Sequence, residues 1–300
     1  MILTRRIETS IREYSDQTAA VILRRVAKLA ANQAQPRVSG FHVGAAGLTN
    51  WGRLVWGYNN ETDKPHADSI HAEESMAARL LAGEKLSTVV VVGENGNLLT
   101  PCGNCREVLM TNSTEGGRFL LAAEMERSRW LSIRDTLPNP ADARYPVRLP
   151  NREHAQHYLQ SLFNAALSVL RDRAYTPYYP QFEATAILCN DGKLVAATPR
   201  QDASYQHERS VAVALAQIDA TRSRIIEAVL FMFDGDSIDK PRFPDGRSRQ
   251  MLFEAAQVAG NDFTVFAAST SGQIWLTTIS ELLPFAFGPA DLGIDVSKYR

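Results

Sequence analysis

The residues best suited to chemistry are His71, Ala72 and Glu73, answered about thirty positions later by Pro101, Cys102, Gly103, Asn104 and Cys105. One imidazole and two thiols make three ligands for zinc and leave a fourth position for water, whereas a structural zinc is normally closed by a fourth side chain. Glu73, two residues from the histidine, is placed to move protons for that water. Cys102 and Cys105 stand at i and i+3, on one face of a helix's first turn. There the unpaired N–H groups and the positive end of the helix dipole favour thiolate over thiol. Arg106 stands next to them, within reach of a thiolate. A zinc knuckle would need a second metal-binding pair, and the chain has only three cysteines. A redox Cys-x-x-Cys pair leaves His71 and Glu73 unexplained. His71 and Glu73, at i and i+2, point to nearly opposite sides of an ideal helix. Both reach one site only if His71 lies at the helix's very start, where the backbone is still turning.

These groups need a scaffold, and the chain is long enough to build one. Three hundred residues with 45% hydrophobic content suffice for one large or two medium domains. A formal net charge of −1 gives no general basic field, so no nucleic-acid partner is expected. Met1 to Gln17 is interrupted by Arg5, Arg6, Glu8, Arg12, Glu13 and Asp16, which is not the apolar core of a signal peptide. Runs such as Val89 to Val92 are too short to span a bilayer, so no membrane partner is expected either. The sparse cysteines suit a reducing compartment, and a cytoplasmic location is expected.

Apolar spacing at Ala19, Ile22, Val26, Leu29 and Ala30 predicts a helix over residues 16–33. Residues 40–49 are a strand of small residues that lets another element approach closely. A turn at Asn50, Trp51 and Gly52 leads to a hairpin partner over 53–57, then to Asn59, Asn60 and Glu61 and a polar loop ending at Ser69. A helix from His71 through Met76, Leu80 and Leu81 is expected to stop at Gly83. Val89 to Val92 reads as a buried central strand, Cys102 to Met110 as a second helix, and Phe119 to Ala123 as a further strand. That order implies parallel strands joined by crossovers. Prolines 138, 140, 146 and 150 mark a linker. Beyond it the pattern repeats: a helix over 153–172, then Phe182 to Gly192 parallel to Phe41 to Gly52 with one residue missing. In this alignment Gln206 faces His71, Asp245 faces Cys102 and Ser248 faces Cys105. Two domains are expected: a zinc-binding catalytic one over 1–148 and a degenerate copy without zinc ligands over 149–300.

The paired motifs, His-Ala-Glu and Pro-Cys-Gly-Asn-Cys, resemble those of the cytidine deaminase family. The stretch from Phe41 to Ala45 is similar to the family's Phe-x-Val-Gly-Ala, and Glu281 to Pro289 to its terminal Leu-Leu-Pro-x-x-Phe-Gly-Pro element. The resemblance implies an α/β fold of duplicated three-layer α/β/α cytidine-deaminase-like domains with mixed central sheets. It implies zinc-dependent hydrolytic deamination of cytidine and 2′-deoxycytidine in pyrimidine salvage, with one Zn²⁺ per chain on His71, Cys102 and Cys105. Glu73 would be the catalytic acid and base, delivering protons to N3 and to the departing ammonia. Asn59 and Glu61 would hold the ribose hydroxyls, and Phe41 would wall the base. Ala72 and Thr100 would lend backbone groups to its edge. In relatives the tail phenylalanine reaches a neighbouring subunit, so Phe287 is expected to close the pocket of a partner chain in a homodimer. A deaminase of another cytosine-containing small molecule, such as a blasticidin S type, remains open through His42, His66 and Asp68. A polynucleotide deaminase lacks an interleaved basic and aromatic stretch. A non-catalytic scaffold would not need Glu73 together with all three ligands.

Overall fold

The computed structural model describes residues 16–61, 69–122, 128–137, 152–176, 182–199, 209–218, 225–234 and 240–296. The segment before residue 16, the loop with His66 and Asp68, the linker prolines with the expected boundary after 148, and Gln206 lie outside these residues. The chain divides into two compact units: Met1–Leu137 with Phe285–Phe287, and Pro138–Pro284 with Gly288–Arg300.

The first unit is built on a five-stranded sheet of order β2-β1-β3-β4-β5. Its strands are β1 (Val43–Thr49), β2 (Leu54–Tyr58), β3 (Leu86–Gly93), β4 (Ser113–Ala122) and β5 (Ser128–Ser132). Only β3 and β4 pair in parallel; β1 runs antiparallel to both β2 and β3, and β5 antiparallel to β4. The sheet is therefore mixed, as the family resemblance implied. β5 was not expected from the sequence. Helix α1 (Asp16–Ala31) covers one face, packing Leu23 and Ala27 on Ala46, Val90, Val92 and Leu120. Helices α2 (Ala72–Ala77) and α3 (Gly103–Asn112) cover the other, where Met76 and Leu109 join Ala45, Val89, Val91 and Phe119.

The small residues of β1 and β2 decide how near these helices come. A Cβ on Gly44 would lie 2.0 Å from the Ala27 carbonyl oxygen, so α1 rests almost on the strand backbone. Only alanines fit at such an approach, and the buried stripe of α1 accordingly runs through Leu23, Ala27, Ala30 and Ala31. Leu29, expected in that stripe, is left exposed. On the opposite face a Cβ on Gly57 would lie 2.3 Å from the Met76 nitrogen and 2.5 Å from the Ala72 oxygen. Helix α2 also ends sooner than expected, at Ala77, with Leu81 outside the core and exposed. The turn after it is tied by Glu84, whose carboxylate accepts the Leu81 N–H at 2.9 Å and pairs with Arg53 at 2.6 Å.

The second unit repeats this plan. Its sheet has the order β10-β9-β8-β6-β7, from β6 (Phe182–Cys189), β7 (Leu194–Ala197), β8 (Ile226–Asp234), β9 (Thr264–Ala268) and β10 (Ile274–Thr278). Again only the β8–β9 pair is parallel. Helix α4 (Arg152–Arg173) covers one face; α5 (Ser210–Ala216) and α6 (Gly246–Ala259) cover the other; the short α7 (Ile279–Leu282) follows β10. The Asn50 side chain accepts the Lys85 N–H at 2.9 Å, and Asn190 accepts that of Ile225 at 3.1 Å. This shared turn, with Gly52 and Gly192 both left-handed, sets Phe182 opposite His42 with no residue missing.

Gly57→Ala tests the helix approach. The methyl group must push α2 off the sheet, with an expected loss of roughly 1–3 kcal/mol in urea unfolding. Gly116→Ala, where nothing lies within 4 Å of the added Cβ, should be close to neutral.

Candidate metal centre

β2 leads out to the loop before α2, and β3 leads into the segment before α3, so both helices begin at one edge of the sheet. His71 is the N-cap of α2, with φ −76° and ψ 159°, an extended conformation that ends as the helix starts. This turning backbone lets His71 and Glu73 serve one site despite their i, i+2 spacing. Cys102 is the N-cap of α3, with φ −66° and ψ 168°, and Cys105 lies in its first turn. His71 Nδ1 is 3.2 Å from Cys105 Sγ and 3.5 Å from Cys102 Sγ. The three ligand atoms lie within 4.8 Å of one another, and no other group of at least three His, Cys, Asp or Glu ligands is so clustered among the described residues. A borderline nitrogen and two sulfurs in this spacing are a donor set that zinc takes.

The electrostatics of the cluster are those of crowded negative groups at a partly buried edge, with Glu73 and Cys105 buried, Cys102 half-buried and His71 exposed. Burial, with the Cys102 thiolate beside it, pushes the Glu73 carboxyl up to about 7, while His71 and a hydrogen bond from Cys105 pull the other way. A hydrogen bond from Cys105 holds Cys102 well below the ordinary thiol range, and His71 adds to this. Burial and its charged neighbours drive Cys105 well above that range. The hydrogen bond to Cys102 raises His71 to about 9 against the opposing effect of burial.

The expected substrate residues surround this cluster in different ways. Asn59 is buried and spends its amide on backbone: Oδ1 accepts the Val43 N–H at 2.8 Å and Nδ2 donates to the Phe41 carbonyl at 2.9 Å. Glu61 accepts the N–H groups of Val38 and Ser39 at 2.9 and 2.8 Å and the Ser39 hydroxyl at 2.6 Å. Both residues thus fix the segment that carries Phe41. Ala72 is fully buried with its carbonyl against Gly57, and Thr100 is half-buried just before Pro101. His42 Nδ1 lies 3.3 Å from the Ala31 carbonyl, so its ring is tied to α1.

Phe287 meets Phe41 within the first unit of its own chain, with ring centroids 5.9 Å apart and planes tilted by 31°. Phe287, expected to close the pocket of a partner chain, thus already reaches Phe41 within one chain. At this separation the rings touch each other and leave no room for a flat group between them. Arg106, fully buried, donates Nε to the Pro101 carbonyl at 2.8 Å, Nη1 to Thr136 at 2.5 Å and Nη2 to Phe285 at 2.9 Å. Phe285 sits in the left-handed region at φ 54°, uncommon for a bulky residue, with its carbonyl held by that guanidinium. The arginine next to Cys105 was singled out in the sequence for its nearness to a thiolate; its link to the tail carries no sequence signal.

Residues 18–116, which contain His71, Glu73, Cys102 and Cys105, match the family model described as the cytidine and deoxycytidylate deaminase zinc-binding region. The chain belongs to the cytidine deaminase family. It is 28% identical over 199 residues to a cytidine deaminase of Shewanella sp. (strain MR-4), covering 64% of each chain, and so spans a little under two thirds of that relative's length. A cytidine deaminase crystal structure from Mycobacterium tuberculosis is 32% identical, with 42% of this chain and 96% of that one covered and a TM-score of 0.36. One from Burkholderia pseudomallei is 26% identical, with 43% and 98% covered and a TM-score of 0.37. No helix among the described residues is long and apolar enough to cross a membrane.

The second unit has a backbone like that of the first unit's cluster with different side chains on it. Asp245 is the N-cap of α6, with φ −64° and ψ 169°, nearly the values of Cys102. Arg249 Nε donates to the Pro244 carbonyl at 2.7 Å, as Arg106 does to Pro101. The N-cap of α5 is Arg209, and its helix buries Ser210, Val211 and Ala214 where α2 buries Ala72, Glu73 and Met76. His71 therefore faces Arg209, not Gln206, because the loops around the two helices differ in length. Val211 then stands where Glu73 does. In place of imidazole and thiolate there is an ion pair, Arg209 Nε to Asp245 Oδ2 at 2.5 Å. Asp245 Oδ1 also accepts the Ser248 N–H at 2.8 Å.

Burial works to raise the Asp245 carboxyl, but the Ser248 N–H and the Arg209 guanidinium outweigh it and leave it lowered. A lowered carboxyl stabilises the fold above the ordinary aspartate range and loses that contribution as pH falls through its folded value. Asp245→Ala should cost about 1 kcal/mol in chemical unfolding near pH ~7, the usual worth of an N-cap. That deficit should shrink well below about pH 4, where wild type loses the same charge.

Proposed function

We propose that this chain is a zinc-dependent hydrolase that deaminates cytidine and 2′-deoxycytidine to uridine and 2′-deoxyuridine. The supporting observation is one buried carboxyl, Glu73, electrostatically coupled to the His71 and Cys102 of a His71, Cys102 and Cys105 cluster inside the matched family region. The first unit carries the chemistry, and the second is a degenerate copy whose own cluster has become an ion pair.

Bound zinc would supply the positive charge and Lewis acidity that make water a usable nucleophile near neutral pH. His71, Cys102 and Cys105 hold it, with one metal per chain. Glu73 takes a proton from the attacking water and passes it to N3 of the pyrimidine. It then takes the remaining proton from the hydroxyl now on C4 and delivers it to the amino group, so that the C4 carbonyl forms as the C4–N bond breaks and ammonia leaves. A carboxyl raised toward neutrality by burial serves both directions of transfer. Phe41 and Phe287 form one apolar wall along the base and exclude water from it. Asn59 and Glu61, already holding the Phe41 segment, offer their remaining hydrogen and lone pairs to the ribose hydroxyls. The side of the site that binds sugar is thereby coupled to the wall that binds base.

Loss of ultraviolet absorbance with cytidine, deoxycytidine, cytosine and blasticidin S separates the readings. Turnover of the two nucleosides is expected; activity confined to blasticidin S would replace this proposal with an antibiotic deaminase. Glu73→Gln should keep about one zinc per chain and lose orders of magnitude in kcat, because it is not a ligand yet moves the protons.

Phe287→Ala should lower kcat/KM by roughly 1–3 kcal/mol, the worth of an aromatic contact to a base, with zinc content unchanged. Because the tail lies on its own chain's Phe41, mixing Phe287→Ala with Glu73→Gln should restore no activity. Recovery on mixing would show donation in trans instead.

A further inference from the structure

Glu74, the residue after the proposed proton carrier, lies between the two ligand-bearing helices. Its Oε2 accepts the backbone N–H of His71 at 2.8 Å, and its Oε1 accepts the Nδ2 hydrogen of Asn104 at 2.9 Å. Asn104 lies between Cys102 and Cys105 in the first turn of α3. One carboxylate therefore ties the residue that supplies the imidazole to the turn that supplies both thiols. The first of these bonds is an ordinary capping contact and would be explained by the start of α2 alone. The second is not, because helix capping asks nothing of a residue on another helix. In the second unit the matching positions are Ala212 and Arg247, so this bridge is missing where the ligands are missing. There Arg209 and Asp245 link the two helix starts directly.

We infer that Glu74 and Asn104 are positioning residues that hold His71 against Cys102 and Cys105 and so set the metal affinity of the centre without ligating. The inference rests on the reading of those three residues as zinc ligands. His71 is an N-cap whose backbone lies outside the helix ladder, so its ring is only as well placed as its peptide. Anchoring that peptide to the cysteine turn keeps the donors at ligand spacing before metal arrives, as outer groups commonly do at metal sites.

Amide chemistry gives a test with a built-in rescue. Asn104→Asp sets two acceptor carboxylates against each other and breaks the bridge. Glu74→Gln alone should be mild: the introduced amide donates to Asn104 once that side chain flips, and its oxygen still accepts from His71. The double variant Glu74→Gln with Asn104→Asp again pairs a donor with an acceptor. Zinc affinity of full-length protein is read by competition with a chromogenic chelator, and site geometry by the absorption of Co²⁺ bound in its place. Asn104→Asp should weaken zinc about 10-fold and alter the cobalt thiolate bands, and the double variant should restore both toward wild type. Urea midpoints of the metal-free proteins separate this from general loss of stability, which the double variant has no reason to rescue in affinity. Unchanged affinity in Asn104→Asp, or weakened affinity that the double variant fails to restore, overturns the inference while leaving the zinc site in place. A wild-type chain that binds no zinc overturns the zinc reading and the inference with it. If Asn104→Asp does not fold, Asn104→Ala must show the weakening, and normal affinity in that variant overturns the bridge.

Discussion

The centre depends on two helices starting at the same edge of one sheet. β1 is antiparallel to both β2 and β3, and β3 is parallel to β4, so β2, β3 and β4 all run in one direction. Helix α2 follows β2 and α3 follows β3, which brings both N-termini to the carboxyl edge of those strands. Each start exposes N–H groups without helical partners and favours negative charge there. His71, Cys102 and Cys105 are placed on those starts, and Gly57 lets α2 settle close enough for the three donor atoms to meet.

Negative groups gathered at helix starts need a positive partner, and the two units meet that need differently. In the first, two thiols, a buried carboxyl and an imidazole form a set that could hold a divalent cation. In the second, the N-cap carboxylate of Asp245 is paired with the Arg209 guanidinium. The backbone at the two cysteine-type N-caps is almost the same, and each neighbouring arginine grips the carbonyl before the cap. The scaffold therefore does not require a metal to hold its helix starts together. What distinguishes the first unit is the choice of side chains on that scaffold.

The segments that carry Phe41 and Phe287 are fastened by hydrogen bonds as well. Asn59 and Glu61 fasten the chain from Val38 to Val43, and Arg106 fastens the chain at Phe285. Two polar networks thus deliver two phenylalanines to one another. A contact between such distant segments holds only while both fastenings hold.

The grouping of His71, Cys102 and Cys105 and the repeated element order were legible in the sequence because each rests on short spacing. A histidine two residues from a glutamate, two cysteines three apart after a proline, and apolar runs of strand length all express local geometry. Boundaries and faces were less legible. The buried stripe of α1 is rotated away from Leu29 because of how near Gly44 lets it come, which is a property of the strand and not of the helix. β5 has no strong pattern of its own and forms by pairing with β4. The counterpart of His71 was misplaced because loops of different length separate otherwise matching helices, and only the N-cap and burial of α5 identify Arg209. The Glu74–Asn104 bridge and the Phe287–Phe41 contact join residues far apart in sequence. Local spacing determined which groups could do chemistry; long-range packing decided which of them touch, because contact between distant segments leaves no periodic trace in the chain.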